Sequence, residues 1–318
     1  MTDLVLGLDG GGTQTRVAVA TASGEVIGQG RAGACNLAAV PLPDALAAAL
    51  AAADLALAEA RQSRADITAL CAGVAGVSFA QRRDQFQAGL QSAFPRARVA
   101  VEPDYTIALA GATEGAPGVI VIAGTGSAAY GENAQGQCHK TGAYGYLIDD
   151  SGSGYGVGRA ALVAVLRDAD GTGEPTCLST RILEALNLSA PTDLIPGVYG
   201  GELTRIVIAG LSRTVAAAAL EDEDVVARAI LMRAGGALAH LAHGIAQRLF
   251  ADVDTPYPVV PIGGLWSAGD PLTDVFTRSL RRFAPMAEWG PPLHSPVEGA
   301  IRRALLLPAD NEKSRQAP

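Results

Sequence analysis

Short apolar runs separated by polar and glycine-rich turns predict most of the first hundred residues. The predicted strands cover residues 4–9, 16–21, 25–31, 67–72 and 99–101, and the predicted helices cover 44–64, 79–94 and 104–111. The first helix is expected to begin at Asp44, because an Asp that follows a proline is a common helix start. The order β-β-β-α-β-α-β-α predicts an α/β lobe: a mixed sheet with helices on both faces.

The opening pattern returns about 115 residues further along the chain. Residues 119–122 are an apolar run that enters a Gly/Thr turn, as the apolar residues before Asp9 do, and a strand and a polar turn follow in both copies. A repeat of this length predicts two related lobes, each with a mixed five-stranded sheet, and a nucleotide cleft between them. The predicted lobes are residues 1–114 and 115–295. The second has a helical insertion over 160–249, a strand at 259–262 and a helix at 271–283, and a final helix over 296–310 is expected to return to the first lobe.

The first glycine turn carries the strongest candidate chemistry. Asp9 ends an apolar run and is followed by three successive glycines and Thr13. Glycines allow a tight turn and bring backbone N–H groups close to a bulky anion. Asp9 cannot itself attract a phosphate, but it can hold a hydrated Mg²⁺ that does. Thr13 and Thr15 add hydroxyl donors, and the sequence therefore predicts a phosphate-binding hairpin.

Acids elsewhere suggest proton transfer and sugar recognition. Asp104 follows a strand and starts a helix, a place where open α/β sheets bind ligands, and a carboxylate there can accept a proton from an attacking hydroxyl. The alternative is that Asp104 only caps the helix. Asp149 and Asp150 follow a glycine- and tyrosine-rich segment, which suits a sugar. The alternative there is a solvated loop that opens the next helix.

Three glycine or histidine patterns are interpreted as structural. Residues 28–33 match Gly-x-Gly-x-x-Gly, but they end a strand and no helix follows, which argues against dinucleotide binding. Residues 154–158 are expected to be a site of close packing at a helix start. His240 and His243 share a helix face without an evident third metal ligand.

Composition limits the function classes. The chain has 318 residues, 49% hydrophobic and 18% charged, with a net charge of −8, which argues against a general nucleic-acid or anionic-membrane partner. The four cysteines have no zinc or iron–sulfur spacing, and neither lysine lies in a Gly-x-x-x-x-Gly-Lys-Ser/Thr pattern, so a P-loop NTPase is excluded. A cytoplasmic location is expected.

Together these segments resemble the actin-like ATPase and sugar kinase superfamily, and within it the N-acetylglucosamine kinase and BadF/BadG/BcrA/BcrD ATPase-like family. The resemblance implies ATP and Mg²⁺ as cofactors, Asp104 as the catalytic base and Asp9 as the residue that holds Mg²⁺ through water. It implies nucleotide contacts by Gly11, Gly12, Thr13, Thr125, Gly126, Gly210, Gly263 and Gly264. It implies substrate contacts by Asn36, Asp104, Ser127, Gly142, Tyr144, Gly145 and Asp150.

Three departures from the family pattern fall on the expected sugar side. Asp149 and Ser151 replace the glycine and glutamate of Gly-Asp-Glu-Gly-Ser, and Ala128 stands where some relatives have a polar residue. The leading hypothesis is phosphorylation of an amino sugar, N-acetylglucosamine or glucosamine, at the 6-hydroxyl, by a homodimer. The alternatives are an ATPase that activates a dehydratase or reductase partner, and a regulatory sugar-binding protein without catalysis.

Overall fold

The computed structural model describes residues 3–77 and 80–308. The strands are β1 (Leu4–Gly10), β2 (Thr15–Thr21), β3 (Val26–Ala32), β4 (Ile67–Val74), β5 (Arg98–Pro103), β6 (Gly118–Ala123), β7 (Ser127–Glu132), β8 (Cys138–Gly142), β9 (Tyr257–Ile262) and β10 (Ala287–Trp289). The α-helices are α1 (Leu42–Ala60), α2 (Ala80–Ala93), α3 (Asp104–Ala112), α4 (Gly154–Ala169), α5 (Leu178–Leu186), α6 (Leu194–Tyr199), α7 (Arg205–Gly210), α8 (Ser212–Glu221), α9 (Val225–Leu249), α10 (Asp270–Phe283) and α11 (Pro296–Leu305).

The first compact unit contains residues up to 116 together with those from 292 onward. Its sheet has the order β3-β2-β1-β4-β5, in which β1, β2 and β3 are antiparallel neighbours while β4 and β5 run parallel to β1. β1 and β4 are almost continuously apolar and buried, as expected of central strands that are covered on both faces. The carboxyl ends of β1, β4 and β5 therefore lie at one edge of this sheet.

Glycines allow helices to approach this sheet closely on both faces. A Cβ on Gly28 or Gly30 would lie 2.3 or 2.0 Å from a carbonyl oxygen of α1. On the other face, a Cβ on Gly7 would lie 2.6 Å from the carbonyl oxygen of Val297 in α11. In the Gly-x-Gly-x-x-Gly match at 28–33, Gly28 and Gly30 are thus the surface on which α1 packs, a role that the sequence did not predict.

The second unit comprises residues 117–291 and repeats the plan of the first. Its sheet has the order β10-β9-β6-β7-β8, with β6 and β7 forming an antiparallel hairpin and β9 parallel to β6. Among the described residues, α9 is long and apolar enough to cross a membrane, but it is a core helix of this unit. Its buried side chains belong to the cluster that covers β6 and β7.

The two five-stranded sheets confirm the predicted fold class, and the differences are local. α1 begins at Leu42 and not at Asp44, because Pro41 is the N-cap and Pro43 lies in the first turn, where a missing N–H costs nothing. It ends at Ala60, four residues early, because Arg61 adopts a left-handed conformation with φ of 54°. The predicted start of α2 at residue 79 lies outside the described residues. The short strand β10 was not predicted.

Candidate functional site

The first glycine turn is the tip of the hairpin formed by β1 and β2. Gly10 pairs with Thr15, and the Gly11 N–H donates to the Gln14 carbonyl oxygen at 3.1 Å, which closes the turn. A Cβ on Gly12 would approach only the Asn36 amide nitrogen, at 3.7 Å. The backbone of the tip is therefore open on one side, and the Thr13 side chain beside it is exposed. This geometry suits an anion held by backbone N–H groups.

Thr15 does not supply the hydroxyl donor that the sequence suggested. Its side chain is fully buried and its hydroxyl donates to the Gly33 carbonyl oxygen at 2.7 Å. That prediction is wrong, because Thr15 is the first residue of β2, paired with Gly10 on one side and Ala32 on the other, whereas Thr13 lies in the turn before the strand.

Asp9 lies near the end of β1 with its carboxylate 19% exposed. Burial raises the pKa of Asp9 to about 6; the Arg16 guanidinium, 3.8 Å away, opposes this shift, and the negative charge of Asp104 adds to it. Asp9 and Asp104 are thus electrostatic neighbours, although they come from the ends of β1 and α3. The register explains this proximity, because β1 pairs with β4 and β4 with β5, which leads directly into α3.

Asp104 is the first residue of α3, whereas Pro103 occupies the N-cap position and makes no side-chain cap. One Asp104 carboxylate oxygen accepts a hydrogen bond from the Tyr105 N–H at 3.0 Å. The nearby acid Glu102 is bound by Arg303 at 2.6 Å and by the Thr106 hydroxyl at 2.9 Å. Glu102 is therefore committed to the fold, and Asp104 is the carboxylate of this corner that neighbours Asp9.

Asn36 is fixed beside the same hairpin. The Cys35 N–H donates to the Gly11 carbonyl oxygen, and the Leu37 N–H donates to the Ala75 carbonyl oxygen, each at 2.9 Å. The Asn36 side-chain oxygen accepts from the Ala38 N–H at 2.9 Å, and its amide nitrogen points toward Gly12. The first unit thus brings together the glycine tip, Asp9, Asp104 and Asn36.

The second glycine turn is the tip of the β6–β7 hairpin. The Gly124 N–H donates to the Gly126 carbonyl oxygen at 3.0 Å, and the exposed Thr125 lies between them. The Gly154 N–H, at the start of α4, donates to the Gly124 carbonyl oxygen at 2.7 Å. A Cβ on Gly263, which has φ of 108°, would lie 2.5 Å from the Ala123 carbonyl oxygen.

Asp150 binds the start of the second strand of this hairpin. Its carboxylate is 3% exposed and accepts the Ser127 N–H at 2.9 Å on one oxygen. Its other oxygen contacts the Arg205 guanidinium at 3.2 Å. The role of Asp150 and Ser127 in binding sugar hydroxyls stays a prediction, and a sugar would have to share these oxygens with partners that are already present.

Arg205, the first residue of α7, was missed by the sequence analysis. Besides its contact with Asp150, its guanidinium lies 5.2 Å from the centre of the Tyr146 ring and 3.1 Å from where a Cβ on Gly126 would be. It is 40% exposed, so part of the group remains accessible. No motif marks it, because it lies 55 residues beyond Asp150 in a segment without a recognisable pattern.

Of the other residues predicted for the second unit, some pack close to this hairpin and others are exposed. Gly142, with φ of 74°, lies against Ser127, since a Cβ there would be 3.0 Å from the Ser127 carbonyl oxygen. Tyr144 is 58% exposed and Gly145 has open space around it. Gly210 is the last residue of α7 and follows Ala209. The Ala209 carbonyl oxygen lies 3.1 Å from where a Cβ on Gly154 would be. Gly264 begins a short 3₁₀ helix and has open space around it.

Two of the departures from the family pattern interact with each other. The exposed Asp149 carboxylate accepts both the Ser151 N–H at 3.0 Å and the Ser151 hydroxyl at 2.5 Å. This turn holds the loop immediately before and after Asp150. Ala128 is buried within β7 opposite Ile122 and does not reach the loop surface.

The residues set aside as structural make contacts within the second unit. His240 contacts the Gly236 carbonyl oxygen at 2.8 Å, and the His243 ring lies edge-on to Phe283 with centroids 4.3 Å apart. A Cβ on Gly158 would lie 1.9 Å from the Ile208 carbonyl oxygen. Within residues 3–77 and 80–308 no group of three or more His, Cys, Asp or Glu side chains converges on a metal site.

Two five-stranded sheets, each with a glycine hairpin, define the actin-like ATPase and sugar-kinase fold class. The chain belongs to the BadF/BadG/BcrA/BcrD ATPase family, whose sequence profile matches residues 6–301. A ROK family glucokinase from Streptomyces griseus, solved with glucose and AMPPNP, shares the fold with a TM-score of 0.58 at 17% identity, covering 95% of this chain and 98% of that one.

More similar proteins are amino-sugar kinases by name. The N-acetylmuramic acid/N-acetylglucosamine kinase of Clostridium acetobutylicum is 34% identical over 230 residues, covering 72% of this chain and 75% of that protein. The N-acetyl-D-glucosamine kinase of Dictyostelium discoideum is 26% identical, covering 95% and 98%. The structure of a candidate N-acetylglucosamine kinase from Chromobacterium violaceum matches with a TM-score of 0.77 at 25% identity, covering 96% and 99%.

Proposed function

We propose that the chain is an ATP-dependent amino-sugar kinase that transfers the terminal phosphoryl group to the 6-hydroxyl of N-acetylglucosamine or glucosamine. The observation that carries the proposal is the pair Asp9 and Asp104 beside an open glycine hairpin. Two acids with different surroundings at one sheet edge suit two separate tasks, binding a metal cation and accepting a proton. The names of the relatives support an amino sugar as the acceptor.

Asp104 is the proposed general base. It touches the reacting hydroxyl and accepts its proton as the oxygen attacks the phosphorus, while the leaving group is ADP. Fixing the hydroxyl beside this carboxylate also lowers the entropic barrier. Asn36, held rigidly beside Gly12 by backbone hydrogen bonds, supplies a side-chain amide nitrogen that can donate to the substituent of the amino sugar.

Asp9 fits a hydrated Mg²⁺. Its carboxylate is largely buried but still accessible, and a pKa of about 6 means that a nearby positive charge is favourable near neutral pH. When bound, Mg²⁺ would neutralise phosphate charge at this site. The Gly11 N–H already closes the turn, so the Gly12 N–H and Thr13 would hold the phosphates of ATP on the first unit, while Gly11 lets the backbone approach them closely.

The hairpin of the second unit carries phosphate donors of its own in this proposal. The exposed Thr125 and the backbone of Gly126 provide neutral donors, and Arg205 provides a positive charge beside Gly126. Arginine suits this role because its guanidinium can give two parallel hydrogen bonds to phosphate. Asp150 and Tyr146 orient Arg205 and so act as positioning residues. Gly210, Gly263 and Gly264 are proposed to border the adenosine.

The decisive experiment is an ADP-release assay over a panel of sugars. The panel contains glucosamine, N-acetylglucosamine, N-acetylmuramic acid, glucose and buffer alone, and the position of the new phosphate is read by NMR. The proposal expects strong stimulation by an amino sugar and a product phosphorylated at the 6-hydroxyl. N-Acetylmuramic acid is included because the relative at 34% identity bears that name.

ATP turnover that no sugar changes would contradict the proposal and favour the activator ATPase. That class needs cysteines that share an iron–sulfur cluster across a dimer. Cys35 and Cys71 are buried, and burial raises the pKa of both thiols, that of Cys35 to about 12. Neither thiol is therefore suited to bind a cluster at the surface. An iron–sulfur chromophore on the purified protein would be evidence for the activator ATPase.

A further inference from the structure

A pocket lies within the second unit, where α4 meets the first three turns of α9. Its volume is about 620 Å³, which is within the range of small-molecule sites. It does not include any residue of the proposed kinase site. The pocket is framed by the side chains of Arg159, Arg167 and Arg233, with valines and alanines between them.

Helix geometry sets the spacing of the arginines. Arg159, Val163 and Arg167 are separated by four residues each and therefore lie along one face of α4. Eight residues of α-helix place Arg159 and Arg167 about 12 Å apart along the axis. Arg167 is anchored at the end of α4, where its carbonyl oxygen accepts the N–H groups of Thr172 and Gly173 at 2.9 and 3.0 Å.

In the part of the chain that the structure describes, these arginines have no partners of their own. None of the three guanidinium groups forms an ion pair or a side-chain hydrogen bond with the residues that the structure describes. The neighbouring Arg181 on α5 is bound by both Glu221 and Asp222, at 2.9 and 2.6 Å. In a chain with 32 acids and 24 bases, three unpaired arginines around one pocket leave a local excess of positive charge. Glu174 is the one acid that lines it.

We propose that this pocket binds a small organic dianion whose two anionic groups are separated by an apolar segment. The anionic groups would be held by the arginines at the two ends, since guanidinium groups bind phosphate or carboxylate bidentately. The apolar segment would cover Val163 and Val226, which are exposed and half-buried along the floor. The volume favours such a ligand over a protein segment, which needs a far larger surface.

The test uses hexane-1,6-diyl bisphosphate as the probe, with hexyl phosphate and pyrophosphate as partial probes. Binding is measured by calorimetry at saturating Mg-ADP, so that the nucleotide site of the proposed kinase is occupied. The bisphosphate should bind at least tenfold more tightly than either partial probe, because only it offers both charges and the apolar segment. Arg167→Gln and Arg233→Gln should each weaken it about tenfold or more.

Arg228→Gln is the matched control. Arg228 is an exposed arginine of α9 that does not line the pocket, so its loss changes the net charge equally and should alter affinity less than twofold. Val163→Ser should weaken the bisphosphate severalfold and leave pyrophosphate unchanged. These are surface substitutions, and circular dichroism checks that each variant is folded.

Four results would overturn the proposal. They are no detectable binding of the bisphosphate, equal affinity for pyrophosphate, an equal loss in Arg228→Gln, and displacement of the bisphosphate by ADP. Sedimentation adds a fifth: a dimer that Arg167→Gln dissociates would mean that a second copy of the chain covers the pocket.

Discussion

The two glycine hairpins share a backbone plan but differ in charge. Each joins two antiparallel strands through a tip closed by one N–H to carbonyl bond, and each exposes a threonine, Thr13 in the first and Thr125 in the second. The first has Asp9 in its own strand and a second acid, Asp104, nearby. The strand that enters the second tip, β6, has no acid, and this tip takes both its carboxylate and its positive charge from later segments, through Asp150 and Arg205.

A repeated backbone plan is thus given two different chemistries by the residues that surround each tip. The first hairpin is acidic and suited to a metal ion and a proton acceptor, whereas the second is suited to bind an anion directly. The two acids are also held differently. Asp9 is 3.8 Å from the Arg16 guanidinium and burial raises its pKa, whereas the more deeply buried Asp150 carboxylate accepts an N–H at 2.9 Å and contacts a guanidinium at 3.2 Å.

Asp104→Asn offers the largest expected effect on the first hairpin. Without the base, sugar-dependent turnover should fall at least about 100-fold while Mg-ATP affinity stays within a few-fold. The matched control is Asp270→Asn, because Asp270 is likewise the first residue of a helix, α10. Turnover near that of the unchanged chain would assign Asp104 to the helix start alone.

Arg205→Gln makes the corresponding test of the second hairpin. We expect turnover to fall about tenfold or more, because one charged donor to phosphate is lost. Arg205→Lys should restore part of it, since the charge returns without the planar geometry. The exposed Arg228 of α9, which contacts none of the proposed site residues, provides the control variant Arg228→Gln. If Arg205→Gln lowered thermal stability but left turnover unchanged, Arg205 would only neutralise Asp150.

The residues that the sequence predicted correctly and those that it missed differ in how local their signals are. The hairpins, Asp9, Asp104 and the two sheets followed from apolar runs and glycine turns that lie close together in the chain. Arg205 could not be found in this way, because its place depends on how α7 packs against residues 150–158, far away in sequence. Thr15 was misassigned for a related reason, since its partner Gly33 belongs to another segment.

Asp9→Asn should make the free protein more stable at neutral pH. The folded pKa, about 6, lies above the ordinary value of 3.8, so the ionised carboxylate disfavours the fold. At pH 7.5 the gain on removing the charge should be on the order of 2–3 kcal/mol, and it should shrink as the pH falls through 6 and vanish near 4. Thermal unfolding of both proteins from pH 4 to 8 measures it. A gain that is the same at every pH would mean that the charge is not its cause.

Ser151→Ala has the smallest expected effect. It removes the exposed hydroxyl bond to Asp149 but leaves the N–H bond, so stability should fall by less than about 1 kcal/mol. The sugar preference in the panel assay should shift more than the turnover with the best sugar, because this turn flanks Asp150. An unchanged order of sugars would show that the Asp149–Ser151 turn does not act in recognition.

The position of α11 has a consequence for the order of folding. Its Gly299 lies against α3 and its Val297 against Gly7 of β1, so it completes the core of the first unit. Yet the 175 residues of 117–291 are synthesised between the two parts of that unit. On a ribosome that adds about 5–20 residues per second, β1 and α3 must wait roughly ten seconds or longer for their covering helix. During that interval their small-residue surface is exposed to chaperones, while the second unit, continuous in sequence, can already fold.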